Sequence, residues 1–182
     1  REMQDARRAV PPGRRGSEQR DAQRRCSGAD SRGRQTQPAR NRHAGAEAMP
    51  REVLAAANLA SKLQSLRGCT EPVFVLLTAT RKEDGTRWCP DCEEADPVIS
   101  EAAQGAPAGV YFLEVEISRE EWKTSPGPDH YLRKAPYNVG GIPTMLQWDT
   151  TANAALKKFN EADLLQLESL SSFFRRFAEK AT

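Results

Sequence analysis

The chain has 182 residues, which suits one ordinary domain with an additional segment. Its hydrophobic share of 38% is low for a fully globular chain, so we expect part of it to contribute little to a core. It contains neither the run of about 18–20 apolar residues that spans a bilayer nor a secretory signal pattern, so we expect a cytoplasmic location.

Residues 1–48 have the composition of a disordered Arg-rich tail, because Met3 and Val10 are their only large apolar side chains. This segment contains twelve arginines and six acidic residues, a net charge of +6. Because the whole chain has a net charge of +2, the remainder has a net charge of −4. The interleaved acidic residues and the lack of aromatic residues argue against nucleic-acid binding. Met49 is a candidate native start, in which case the tail would not belong to the native protein and the domain would cover 49–182.

The first predicted elements lie between residues 51 and 78. We expect a strand at 53–57 and a helix at 59–66 with Asn58 as its N-cap, although one helix over 51–66 fits nearly as well. Residues 72–78 form a continuous apolar run of strand length, which is typical of a strand covered on both faces. This run is the candidate for the centre of the sheet.

Strand and helix patterns continue to alternate along the rest of the chain. The predicted elements are a helix from Cys89 to Ala103, a strand at 110–117, a short helix at 129–135, a hairpin of strands at 144–148 and 155–159, and a helix at 161–180. The acidic run Glu93, Glu94 and Asp96, and the alternating Glu114 and Glu116, fit solvated faces. The order of elements predicts an α/β fold with a mixed sheet.

Cys89 and Cys92 are the only closely spaced cysteines, and they form a CxxC motif. Such a pair can be half of a zinc site, but zinc needs four ligands, and the spare donors are isolated from one another: Cys26, Cys69, His43 and His130. A purely structural disulfide is not expected without a secretory context. A redox-active dithiol is therefore favoured, and no bound metal is expected.

The chemistry of this motif follows from its place at the start of a helix. Backbone N–H groups and the helix dipole stabilise a thiolate at Cys89, so Cys89 is the candidate nucleophile, and Cys92 lies within one turn as the resolving thiol. Pro90 suits the first helical position. The charge of Asp91 could shift the pKa of Cys89 in either direction. Trp88 either packs inside or, as we favour, shields the dithiol and contacts substrate.

Several motifs together resemble the thioredoxin-like Clot family over about residues 51–180. They are Trp88-Cys89-Pro90-Asp91-Cys92, the polar loop before it, Trp122-Lys123, Asp129, Arg133 and Gly141-Ile142-Pro143-Thr144. The resemblance implies a thioredoxin fold, with a central mixed five-stranded sheet flanked by helices. Thr124 stands where that family usually has Asp, and the first core strand lacks the buried aspartate of ordinary thioredoxins.

The resemblance also implies a function: a cytosolic disulfide reductase that acts on small or selected protein disulfides. Thioredoxin reductase would recharge it from NADPH, and its redox-active centre would be the Cys89–Cys92 disulfide, with no bound cofactor. Pro143 matches the family's cis-proline, which would place the Ile142 backbone beside the dithiol to bind substrate. We expect a monomer. A redox-responsive binding module with little turnover and a zinc-bridged interaction protein remain alternatives.

Overall fold

The computed structural model describes residues 51–106 and 110–177, so the tail at 1–48 and the end of the predicted last helix lie outside the described residues. Its five strands are β1 (Arg51–Ala55), β2 (Val73–Ala79), β3 (Tyr111–Ile117), β4 (Thr144–Asp149) and β5 (Ala154–Phe159). Its α-helices are α1 (Leu59–Ser65), α2 (Pro90–Gln104), α3 (Arg119–Lys123), α4 (Glu161–Leu164) and α5 (Leu167–Arg175).

The strands form one mixed sheet in the order β1-β3-β2-β4-β5. Strand β2 pairs parallel with β3 and antiparallel with β4, and all seven of its residues are buried. The apolar run therefore lies at the centre of the sheet, as predicted. The β4–β5 pair is antiparallel, which confirms the hairpin.

Helices cover both faces of the sheet because the side chains of β2 alternate between two cores. Val75 and Leu77 pack in the core that includes Leu59 and Leu63 of α1. Phe74 and Leu76 pack in the opposite core, which is built with side chains from α2, α4 and α5. The result is a mixed five-stranded sheet flanked by helices, the thioredoxin fold that the sequence resemblance implies.

At the start of the domain, strand β1 exists and the alternative of one helix over 51–66 is wrong. The strand ends at Ala55 rather than at 57. Asn58 does occupy the N-cap position of α1, but it has helical backbone angles and its side chain makes no cap hydrogen bond.

Two further helix predictions need correction. In place of one helix at 129–135 there are two separate 3-10 turns, Gly127–Asp129 and Tyr131–Arg133. His130 between them has non-helical backbone angles, and its Nδ1 accepts a hydrogen bond from the Leu132 N–H. The predicted helix at 161–180 is broken at Gln166, whose ψ of 81° is not helical. The break lets α4 and α5 bury apolar side chains in the same core.

Helix α3 was not predicted, although its start has a local signal. Ser118 accepts a hydrogen bond from the Glu121 N–H, and the Glu121 carboxylate accepts one from the Ser118 N–H, which is a capping box. None of the helices within the described ranges combines the length and apolar character needed to cross a membrane.

Candidate redox active site

Cys89 and Cys92 lie at the beginning of helix α2, directly after the polar loop that follows the central strand. Cys89 is the extended N-cap residue, Pro90 is the first helical residue, and Cys92 lies in the first turn. Both cysteines carry free thiols, and Cys89 is 7% exposed whereas Cys92 is 1% exposed. Both residues are buried, and Cys89, the predicted nucleophile, is the more exposed of the two.

Burial makes the two thiols chemically different. It raises the pKa of the Cys92 thiol to about 12, even though hydrogen bonds with Thr78 and the Ala79 backbone act in the opposite direction. Cys92 is therefore protonated at neutral pH and does not compete as the first nucleophile. This asymmetry fits the predicted order, with Cys89 attacking and Cys92 resolving.

The raised pKa of Cys92 predicts a loss of stability at high pH. The folded-state pKa of about 12 lies above the ordinary value of 9.0, so between these values the unfolded chain releases a proton that the folded chain keeps. The free energy of unfolding should then fall by at most about 1.4 kcal/mol per pH unit over this window. Urea denaturation from pH 8 to 11 should show a shallower decline in Cys92→Ala; parallel curves would contradict the prediction.

The loop that contains the predicted cis-proline lies beside the dithiol. The Cys89 Sγ is 3.6 Å from the Ile142 carbonyl oxygen, although 53 residues separate them in the chain. The Ile142–Pro143 peptide bond is cis, and both residues are buried. The fold thus brings the two motifs that the sequence singled out into one place.

The remaining predicted site residues surround the start of α2. The Trp88 Nε1 donates to the Ile117 carbonyl oxygen at 2.8 Å, so the indole is anchored to the end of β3 while its side chain stays partly exposed. Pro90 and Asp91 are both exposed in the first turn. These three residues can therefore meet a partner that approaches the dithiol.

The sequence patterns did not predict an ionic network that lies next to the dithiol. The Arg87 side chain has no exposed surface, and its guanidinium donates to the Ala79 carbonyl oxygen at 2.6 Å, to Asp96 at 2.9 Å and to Glu114 at 2.5 Å. Burial alone would lower the pKa of Arg87, but the hydrogen bonds to Asp96 and Glu114 outweigh it and raise that pKa. Arg87 is therefore a permanently charged group inside the protein.

Two more arginines complete this network. Arg81 donates to Asp96 at 2.6 Å, and Arg51 pairs with both Asp96 and Glu114. Burial would raise the pKa of Asp96, but its hydrogen bonds with Arg81 and Arg87 lower it. The prediction of solvated faces is thus wrong for Glu114 and Asp96, because arginines from β1 and from the loop before α2 cover these carboxylates.

The network also fixes the loop that leads into the dithiol. The backbone N–H of Arg87 donates to the Glu93 carboxylate at 2.6 Å. At the base of the loop, Arg81 and Arg87 form an isolated antiparallel β-bridge, and the Trp88 N–H donates to the Thr80 carbonyl oxygen at 3.4 Å. These backbone contacts join the two ends of the loop. This holds Cys89 at the end of the sheet rather than on a free segment.

The zinc alternative calls for further ligands close to the dithiol. Within residues 51–106 and 110–177, His, Cys, Asp and Glu side chains form no group of three or more that could hold a metal ion.

The fold and the dithiol at the start of α2 define a thioredoxin-like domain. A family model described as "Thioredoxin domain-containing protein 17-like, thioredoxin domain" matches residues 52–175. The thioredoxin domain-containing protein 17 of Danio rerio is 28% identical over 96 residues, which are 52% of this chain and 75% of that protein. The thioredoxin-like protein Clot of Arabidopsis thaliana is 31% identical over 100 residues, 51% of this chain and 72% of that protein.

Among solved structures, thioredoxin O2 from Arabidopsis thaliana in the oxidized state matches with a TM-score of 0.45 at 22% identity, over 68% of this chain and 92% of that one. The family model and the Clot relative decide the assignment. The chain belongs to the thioredoxin domain-containing protein 17-like family, and the resemblance to Clot proteins is confirmed.

Proposed function

We propose that this domain is a thiol–disulfide reductase that reduces small or selected protein disulfides through Cys89 and Cys92. The observation that carries the proposal is the asymmetry of the two sulfurs. Cys89 lies at the N-terminus of α2 beside the Ile142 backbone, whereas Cys92 is buried behind it with its pKa raised to about 12. Such a pair suits a nucleophile and a resolving thiol.

The proposed reaction transfers two electrons from the dithiol to the substrate disulfide. The Cys89 thiolate attacks one substrate sulfur, forms a mixed disulfide and releases the other sulfur as a thiolate. Once Cys89 is in the mixed disulfide, the hydrogen bond and charge of its sulfur no longer raise the pKa of Cys92. The released substrate thiolate can then accept the Cys92 proton, and the Cys92 thiolate attacks the Cys89 sulfur. The second substrate sulfur leaves as a thiolate, which takes a proton from water, and the Cys89–Cys92 disulfide forms.

The surrounding residues have supporting roles in this proposal. Trp88, Ile142 and Pro143 form the substrate contact surface, where an extended substrate can pair with the Ile142 backbone in strand fashion. Pro90 and Asp91 tune the dithiol from the exposed first turn of α2, where the carboxylate of Asp91 also meets the partner. Thioredoxin reductase with NADPH would reduce the Cys89–Cys92 disulfide, and we place this cycle in the cytoplasm with the domain as a monomer.

The proposal predicts NADPH consumption in a mixture of the protein, thioredoxin reductase and cystine. Cys89→Ser should lower this rate by more than about a thousandfold, because the attacking thiolate is lost. Circular dichroism should show that the variant stays folded. The absence of turnover with folded wild-type protein would contradict the reductase and favour a redox-responsive binding module. Metal analysis of the same sample would then test the zinc-bridged alternative.

A further inference from the structure

The backbone that leads into Ile142 consists of two glycines that packing does not hold. Gly140 and Gly141 are both exposed, and a Cβ atom built on either would meet nothing within 4 Å. Glycine has more backbone freedom to lose on ordering than any other residue. A diglycine at this point needs other restraints if Ile142 is to keep its place beside Cys89.

Two side chains supply such restraints by holding the glycine carbonyl oxygens. The Arg133 Nη1 donates to the Gly140 carbonyl oxygen at 2.9 Å. The Thr144 Oγ1 donates to the Gly141 carbonyl oxygen at 2.7 Å. The two successive peptide groups before Ile142 are thus each fixed from outside the diglycine.

Arg133 is itself held on several sides. Its guanidinium carbon lies 3.7 Å from the centre of the Trp122 ring, which is a close cation–π contact. Its Nε donates to the Gly127 carbonyl oxygen at 3.2 Å, and its Nη2 donates to the Trp122 carbonyl oxygen at 3.4 Å. Trp122 is buried in the core, so Arg133 connects a rigid part of the domain to the diglycine.

We propose that Arg133 is a positioning residue that strengthens the binding of polypeptide disulfides and does not affect that of small disulfides. The inference rests on the proposed reductase function, in which a polypeptide substrate pairs with the backbone at Ile142. A substrate chain that extends along residues 140–142 needs this backbone in one conformation. Cystine is too short to pair along it, so cystine needs only the dithiol and its immediate surroundings.

Arg133→Lys tests the inference because lysine keeps the charge but lacks the planar fork that donates in several directions. The substrates are cystine and a synthetic peptide dimer linked through one central cysteine. The variant should raise KM for the peptide dimer about tenfold with little change in kcat, as loss of a charged hydrogen bond would do. Its kcat/KM for cystine should stay within about twofold of wild type.

Lys134→Met is the matched control, because it removes a neighbouring exposed charge that pairs with Asp129 and not with the diglycine. It should change neither substrate's kinetics. Thr144→Val is an independent second test, because it removes only the hydroxyl that holds the Gly141 carbonyl oxygen. This variant should also raise KM for the peptide dimer. If Arg133→Lys does not fold, Thr144→Val alone tests whether a fixed diglycine is needed to bind the peptide dimer.

Equal losses for cystine and the peptide dimer in the folded variants would overturn the inference, because they would show a general structural role for Arg133. Unchanged kinetics with both substrates would overturn it as well. Wild-type protein that turns over neither substrate would instead refute the reductase function itself. The wild-type control therefore separates the two failures.

Discussion

Replacing Glu114 with alanine is expected to lower the free energy of unfolding by about 3 kcal/mol, the low end of the cost of removing one partner from a buried ion pair. Glu114 is 4% exposed and pairs with Arg87 and Arg51. Without it, the fully buried guanidinium of Arg87 loses a carboxylate partner that water cannot replace. Asp96 still pairs with Arg87, which is why we expect the low end. Urea denaturation measures this loss.

Glu116→Ala is the matched control, because Glu116 lies on the same strand but is 26% exposed and contacts Arg87 at 3.5 Å. Its expected cost is below about 1 kcal/mol, because Glu116 is partly solvated, its contact with Arg87 is long, and Arg87 keeps Asp96 and Glu114 as partners. The double variant Arg87→Met/Glu114→Met should recover most of the stability lost in Glu114→Ala, because it leaves no unpaired buried charge. Equal losses for Glu114→Ala and Glu116→Ala would contradict this account of the network.

This network could not be predicted from local sequence patterns. Glu114 and Glu116 alternate with apolar neighbours, and that pattern indicates a strand with one solvated side. The arginines that cover Glu114 come from positions 51 and 87, on a different strand and on the loop before α2. Only the parallel pairing of β1 with β3 and the position of that loop bring the charges together.

The features that the sequence did predict depend on local chemistry. The continuous apolar run at the centre of the sheet reflects burial on both faces, and the CxxC motif followed by a helix pattern predicted the start of α2. The contact of Arg133 with Gly140 depends instead on two 3-10 turns that replaced a predicted helix. Helix α3 is the exception, because its capping box was visible in Ser118 and Glu121 and was overlooked.

Cys92→Ser is expected to accumulate a stable mixed disulfide on Cys89, an adduct that wild-type protein resolves. The variant keeps the proposed nucleophile at the N-terminus of α2 and loses only the thiol that attacks the Cys89 sulfur. The matched variant Cys89→Ser should accumulate no adduct at neutral pH. Its remaining dithiol residue, Cys92, is 1% exposed, and burial raises the pKa of the Cys92 thiol to about 12.

The most direct test of the proposed mechanism is therefore to incubate both single variants with cystine at neutral pH and map the adducts by mass spectrometry under non-reducing conditions. We expect a cysteine adduct on Cys89 of the Cys92→Ser variant and none on Cys92 of the Cys89→Ser variant. Comparable adducts in both variants, or none on folded Cys92→Ser, would contradict the assignment of Cys89 as nucleophile and Cys92 as resolving thiol.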